Sequence, residues 1–329
     1  VFHLGYWYEI LIRFLFRLVN FRTMALKPPR KISLVVVPTI VRDYFADELI
    51  RYAQRIGAPS LGLQVNFDAF NVKSSIETPT HMAVWGEQSW YLSRLGGGIK
   101  TDDISVLGTP RYINYQRITK RDARKKLNLD SSKILWLFAG STAAFQEIAV
   151  LKKIDSMINS GSLPPELIVL YKPHPKGQQD KNQPEFIAEH FKNVILFSEP
   201  GEGKWTDLEV YPALLSAIDG VITPYSTMAL EAALMGLPLL CVGYHNGEYS
   251  RYWDHAKDFY HLRVLQDRKF CLHCNDRSHL ESLLVKFVQM RGDREITLDA
   301  QQAAYSVLYQ SDVPYKDRLL SLMNSSFET

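Results

Sequence analysis

The chain has 329 residues, and at about 150 residues per domain this length suggests two domains. With 38 Lys and Arg against 35 Asp and Glu, 22% charged and 46% hydrophobic residues, the composition excludes a disordered chain, a collagen-like fibre and a disulfide scaffold. A net charge of +3 and a pI near 8.6 suit anionic ligands but are too mild for a nucleic-acid surface, so no nucleic-acid partner is expected.

The opening run, Tyr6 to Phe21, is strongly apolar but carries Glu9, Arg13 and Arg17. Arg13 and Arg17 fall on one helix face, so the run reads as an amphipathic helix that covers a sheet or lies in a membrane interface. The chain starts with Val1 instead of Met, which suggests that an N-terminal portion precedes it. From Ile32 onward short apolar runs alternate with helical patterns. Strands are expected at Ile32–Val37, Ser60–Val65, Met82–Trp85 and Ile104–Leu107, with helices at Asp43–Ile56 and Gly86–Leu95. Such alternation implies βαβ units and a mostly parallel sheet with helices on both faces.

Arg111–Asp130 is polar and basic and reads as a linker and first helix, with its charges on a solvated face. The pattern then repeats. Strands are expected at Ile134–Phe138, Leu167–Tyr171, Val194–Phe197, Gly220–Thr223 and Leu239–Val242, and helices follow Gly140-Ser141-Thr142 and occupy Leu208–Ala217 and Thr227–Met235. Cys241, Cys271 and Cys274 are the three cysteines, an odd and low number that fits a reducing compartment. Cys271 and Cys274 form one CxxC around His273, but a structural zinc site needs a second ligand pair. His261 and His279 do not supply one at the expected spacing, so a strand with reduced thiols and no metal is expected. Ser278 and Glu281 form an S-x-x-E capping box. The fold class that results is α/β, with two doubly wound Rossmann-like domains facing a central cleft. The expected boundaries are 1–115, 116–312 and a C-terminal helix, 313–329, that returns toward the first domain.

Ligands of open α/β sheets bind beyond the carboxyl ends of the strands, so the strand-to-helix loops are the places to search. In Thr223-Pro224-Tyr225-Ser226-Thr227, Pro224 stops the strand and Ser226 is a natural N-cap. The free N–H groups and the two hydroxyls of that turn suit a phosphate. Glu231 follows Thr227 by one helical turn and can accept bonds from ribose hydroxyls. The competing reading is simple capping with Glu231 exposed. Lys172-Pro173-His174-Pro175-Lys176 holds a histidine between prolines and lysines, which suits a phosphate or leaving-group oxygen. Gly140, Ser141 and Thr142 are small enough for a backbone to approach a ligand. There is no Walker loop, no G-x-G-x-x-G and no G-x-S-x-G elbow.

Together, YKPHPKG at Tyr171–Gly177 and DGVITPYSTMALEAALMGLPLL at Asp219–Leu240 resemble a GT-B glycosyltransferase, in the bacterial group of capsule and surface-polysaccharide transferases and CDP-glycerol glycerophosphotransferases. Val65–Ser75, Val84–Gln88 and Val106–Tyr112 are similar to this group as well, although Phe67–Phe70 keeps Asp68 and lacks the Trp and Asn of the common W-D-N-L-x-x-K sequence. The resemblance implies a nucleotide-sugar donor of UDP, CDP or CMP type in the C-terminal domain. His174, Ser226 and Thr227 would contact its diphosphate, or the monophosphate of a CMP-sugar, Glu231 its ribose, and Ser198–Asp207 would lie beside its base, with Gly140, Ser141, Thr142 and Lys172 as further donor-binding candidates. The N-terminal domain would take a glycan or lipid-linked acceptor, with peripheral contact at the inner face of the cytoplasmic membrane. Neither a metal nor another cofactor is implied, because helix-terminal and side-chain donors can stabilise a departing phosphate. Asp43 and Asp68 are the candidate catalytic bases, with His174 at the leaving group. A glycerophosphotransferase, a UDP-GlcNAc 2-epimerase-like enzyme and a non-catalytic GT-B-like binding subunit are the alternatives.

Overall fold

The structure, a computed structural model, describes residues 32–38, 44–68, 77–95, 98–115, 118–141, 145–174, 186–197, 210–244 and 258–327. Tyr6–Phe21, Asp43, Thr142, Pro175, Lys176 and Ser198–Asp207, on which expectations rest, lie outside the described residues. Among the described residues no helix is long and apolar enough to cross a membrane.

The chain divides into two compact units. One takes in the residues up to Pro110 together with those from Ser306 onward, and the other runs from Arg111 to Tyr305. These divisions fall five and seven residues before the ends expected at 115 and 312. The reason is local bonding: Arg111 and Tyr115 both bond to Glu231, and the Tyr309 N–H donates to the Trp85 carbonyl at 2.8 Å.

In the first unit, strands β1 (Val35–Val37), β2 (Ser60–Leu63), β3 (His81–Val84) and β4 (Ile104–Val106) form a parallel sheet in the order β1-β2-β3-β4. Helix α1 (Tyr44–Ile56) joins β1 to β2, and α2 (Glu87–Leu95) joins β3 to β4. β1 starts later than the apolar run that begins at Ile32, because β2 runs beside it only from Val35. All four residues of β3 are buried, as expected for a parallel strand covered on both faces. Gln64, itself buried, ties the ends of two strands together: its Oε1 accepts from the Trp85 N–H and its carbonyl from Trp85 Nε1. Gly86 leaves room for the chain that follows helix α8 (Arg294–Val307), since a Cβ there would stand 2.1 Å from the Val307 carbonyl oxygen. The last helix, α9 (Tyr315–Phe327), presents Tyr315, Leu319, Leu322, Met323 and Phe327 to Leu61, Ala83 and Leu107. Steps of three and four residues put that stripe on one face.

The second unit begins with α3 (Lys120–Lys126). Its strands are β5 (Ile134–Ala139), β6 (Leu167–Lys172), β7 (Val194–Leu196), β8 (Gly220–Thr223), β9 (Leu239–Val242) and β10 (Cys271–Cys274). They form a six-stranded parallel sheet in the order β10-β9-β8-β5-β6-β7. Helices α4 (Glu147–Asn159), α5 (Tyr211–Ala217), α6 (Met228–Leu234) and α7 (Leu280–Gln289) connect or follow these strands. The Trp136 ring packs 4.9 Å from Phe287 of α7 at the centre of this core. The capping box expected at Ser278 is not formed. Ser278 instead donates its N–H and hydroxyl to the Asp276 carboxylate at 2.8 and 2.7 Å, in a short 3-10 turn over Arg277–His279. α7 therefore starts at Leu280, one residue later than a Ser278 cap would require.

At the amino ends of the strands Asp219 collects charge. It is 5% exposed and bonds to Lys120, to Arg124 Nη2 at 2.8 Å and to the Leu135 N–H at 2.9 Å, and Arg291 pairs with it at 3.3 Å. Burial pushes its carboxyl up, but the Leu135 N–H, Lys120 and Arg124 outweigh burial and hold it below the usual carboxylate value. A cavity of about 480 Å³ opens beside it, lined among others by Ile118, Pro238 and Thr297.

Candidate functional site

The strand order in the second unit contains a reversal: from β5 the chain first adds β6 and β7 on one side, then β8, β9 and β10 on the other. In an open parallel sheet the carboxyl ends at such a switch point, here those of β5 and β8, form the ligand crevice. Because the strands are parallel, the ends of β6 and β9 share that edge. The loops Gly140–Ser141, Pro173–His174, Pro224–Thr227 and Gly243–Tyr244 therefore gather there. The 480 Å³ cavity beside Asp219 is at the opposite edge and does not compete with this assignment.

Two of these loops are locked to each other. The Gly140 N–H donates to the Lys172 carbonyl at 2.8 Å. A Cβ at Gly140 would lie 2.7 Å from Glu147 Oε2 and 2.8 Å from the His174 backbone nitrogen, so only glycine permits this approach. Glu147 is the residue that sequence reasoning missed. It opens α4, is 2% exposed, and accepts the Ser141 N–H at 2.9 Å and the Tyr171 hydroxyl at 2.8 Å. Burial raises its carboxyl, opposed by those two hydrogen bonds, and burial also raises the Tyr171 phenol. A single buried carboxylate thus braces the end of β6 and the turn after β5. The available sequence signal was an acidic residue in the first turn of the helix after Gly140.

His174 is half-buried at the end of β6. Lys172 is 6% exposed, with its ammonium 4.8 Å from the centre of the Tyr211 ring. The aromatic face attracts the ammonium and holds it at this edge. Ser141 is buried as well.

At the β8 end, the Ser226 hydroxyl lies 3.0 Å from Thr223 Oγ1 and accepts the Met228 N–H at 3.3 Å. Helix α6 starts at Met228, one residue beyond expectation, and Thr227 is exposed. Glu231 is 2% exposed, so the reading that left it as a solvent-facing side chain behind a cap is corrected. Its Oε2 accepts the Tyr115 hydroxyl at 2.9 Å, and its Oε1 pairs with Arg111 Nη2 at 3.3 Å. Burial first, and Glu231 next, push the Tyr115 phenol far up, so Tyr115 stays a donor. Neither partner was visible in sequence, where both precede Glu231 by more than a hundred residues.

Asp68 is half-buried in the turn beyond β2 of the first unit, next to Phe67, whose ring stacks on Trp85 at 6.5 Å. Among the described candidates, the second unit brings Gly140, Ser141, Lys172, His174, Ser226, Thr227 and Glu231 to one sheet edge or to the helix that leaves it.

No protein-family model matches the chain, and no curated protein sequence matches it. Solved structures do. A wall teichoic acid polymerase, TagF, soaked with CDPG, aligns with a TM-score of 0.54 and 13% identity over 90% of this chain and 72% of that one. A Listeria monocytogenes protein assigned as a UDP-N-acetylglucosamine 2-epimerase aligns with a TM-score of 0.54 and 12% identity, over 90% of this chain and 73% of that one. A glycosyltransferase from Rickettsia africae aligns with a TM-score of 0.50 and 10% identity, over 96% of this chain and 80% of that one. Identities this low speak to fold. With its two parallel sheets and interspersed helices, the chain has the GT-B type of fold.

Proposed function

We propose that the chain is a metal-independent glycosyltransferase that moves a sugar from a nucleotide-activated donor to a surface-glycan or lipid-linked acceptor. The observation that carries this reading is the convergence of the Gly140–Ser141, Lys172–His174 and Thr223–Thr227 loops at the β5/β8 switch point. There a small-residue loop, a buried ammonium, a histidine and two hydroxyls offer what a nucleotide phosphate needs. In this reading His174 and the Ser226 and Thr227 hydroxyls donate to the phosphate that departs as the glycosidic bond breaks. Donors held in place beforehand stabilise that charge without reorganisation. Glu147 keeps the two loops in register, and Glu231 is the candidate for the ribose hydroxyls. Asp68 is the described candidate for the base that takes the acceptor's hydroxyl proton. Peripheral association with the inner face of the cytoplasmic membrane belongs to the same proposal. The same donor site would serve glycerophosphate transfer from a CDP-linked donor, and the group transferred from labelled donors separates the two.

The test is a thermal-shift screen with UDP, CDP, CMP, ADP and GDP. A nucleotide at 100 times its Kd adds about 2.7 kcal/mol, which for a unit of this size raises the melting temperature by about 5–11 °C. No shift with any of the five would overturn the reading. Once a donor is found, His174→Ala should lower kcat/KM by about 10²–10³ with unchanged circular dichroism. Transfer at the wild-type rate would remove His174 from the chemistry.

A further inference from the structure

Strands β9 and β10 lie side by side, with His273 opposite Cys241 and Cys271 opposite Leu239. Residues two apart on a strand share a face, and residues three apart do not. Cys271 and His273 therefore emerge on one face together with Cys241, while Cys274 turns to the other, where its thiol donates to the Asp276 carbonyl at 3.3 Å. The CxxC of the sequence is thus not a chelating pair on this strand. The grouping that does form is Cys241, Cys271 and His273, whose donor atoms all lie within 4.8 Å of one another. Cys241 and Cys271 are free thiols, fully buried, with their sulfurs 3.8 Å apart.

We propose that Cys241, Cys271 and His273 form a structural zinc site that ties the edge strand β10 to β9. With Zn–S bonds of about 2.3 Å, the edge of a tetrahedron is about 3.8 Å, the separation the two sulfurs already have. His273 Nε2 lies 3.1 Å from the Leu265 carbonyl. A ring N–H donated to a backbone carbonyl is the outer-shell arrangement that orients metal-binding histidines and leaves the other nitrogen as the donor. That nitrogen, Nδ1, is 2.9 Å from the Tyr225 hydroxyl. The Tyr225 hydroxyl also donates to Asn275 Oδ1 at 2.8 Å, so a zinc ion on Nδ1 would displace Tyr225 from it, and a water or hydroxide would complete the tetrahedron. Two thiolates and a neutral imidazole around Zn²⁺ sum to zero charge, which a buried site tolerates. Loading releases the two thiol protons, so uptake weakens as pH falls.

The experiment strips the full chain with a strong chelator, adds back Zn²⁺ and measures the metal retained after desalting. Wild type should keep one equivalent. Cys241→Ser and Cys271→Ser should bind more than about 100-fold more weakly, beyond what losing an outer-shell partner costs, and Cys274→Ser should bind normally. No retained zinc in the wild type, or equal loss in Cys274→Ser and Cys271→Ser, would overturn the proposal. Should the serine variants fail to fold, Co²⁺ added to the stripped wild type decides. A thiolate-to-cobalt charge-transfer band supports the site, and its absence refutes it. Protonated His273 over two idle thiols is the competing account, and it predicts no band and no uptake.

Discussion

Replacing Glu231 with Gln keeps the shape of the side chain and removes its charge. In the wild type the carboxylate takes the buried Tyr115 hydroxyl on one oxygen and the partly exposed Arg111 guanidinium on the other. An amide has one oxygen to offer, so its NH₂ group must face one of these two donors. The bond to Tyr115 is charge-assisted and buried, worth about 1.5–3 kcal/mol. Arg111 is partly solvated, and its pairing adds about 1 kcal/mol at most. The expected loss is therefore about 2–4 kcal/mol, or a melting temperature lower by about 4–16 °C at 2–4 °C per kcal/mol. Tyr115→Phe should lose about 1–2 kcal/mol, and the double variant should show coupling, because the pair is in contact. Urea unfolding of the four proteins measures this, and a Glu231→Gln protein as stable as wild type would refute the account of the carboxylate. The ribose role has its own readout by isothermal titration. If Glu231 reads the sugar, Gln should weaken nucleotide binding by about 10- to 150-fold. The wild type should also prefer ribose over 2′-deoxyribose, and Tyr115→Phe should keep that preference. Equal affinity for the two sugars in the wild type would leave Glu231 with a structural role alone.

Asp219→Asn leaves the buried Arg124 without its counter-charge and should cost about 3–5 kcal/mol in urea unfolding, the range for breaking a buried pair; a loss under about 1 kcal/mol would contradict the assigned geometry. Because the folded Asp219 carboxyl is held below its usual value of 3.8, its contribution is present above that pH and disappears as pH falls through the lowered folded value, so the gap between wild type and Asp219→Asn should close in acid. Gly140→Ala drives a methyl group into the Glu147 carboxylate and the His174 backbone, and should cost about 1–3 kcal/mol while weakening nucleotide binding. Unchanged binding would show that the two loops need not touch. Gly86→Ala meets the Val307 carbonyl oxygen at 2.1 Å and should destabilise the first unit by about 3 kcal/mol or more, detected as a lower urea midpoint; wild-type stability would mean that the chain after α8 does not dock on Gly86.

Much of this protein is written in local pattern. β-branched and aromatic runs bounded by Gly and Pro mark β5, β6, β8 and β9 almost to the residue, since a strand buried on both faces must be apolar throughout. The loops with small residues, the proline-flanked histidine and the Ser-Thr turn were legible for the same reason: their chemistry lies in adjacent residues. Strand order was not legible. Alternating β and α segments are compatible with several orders, and only the fold shows that β5 and β8 are neighbours, which is what turns separate loops into one sheet edge. The partners of buried charge were equally hidden. Glu147 with Tyr171, Glu231 with Tyr115, and Cys241 with Cys271 are 24, 116 and 30 residues apart. Such pairs leave no periodic trace, because they form where the packing of whole elements excludes water and every buried polar group must find a partner within reach.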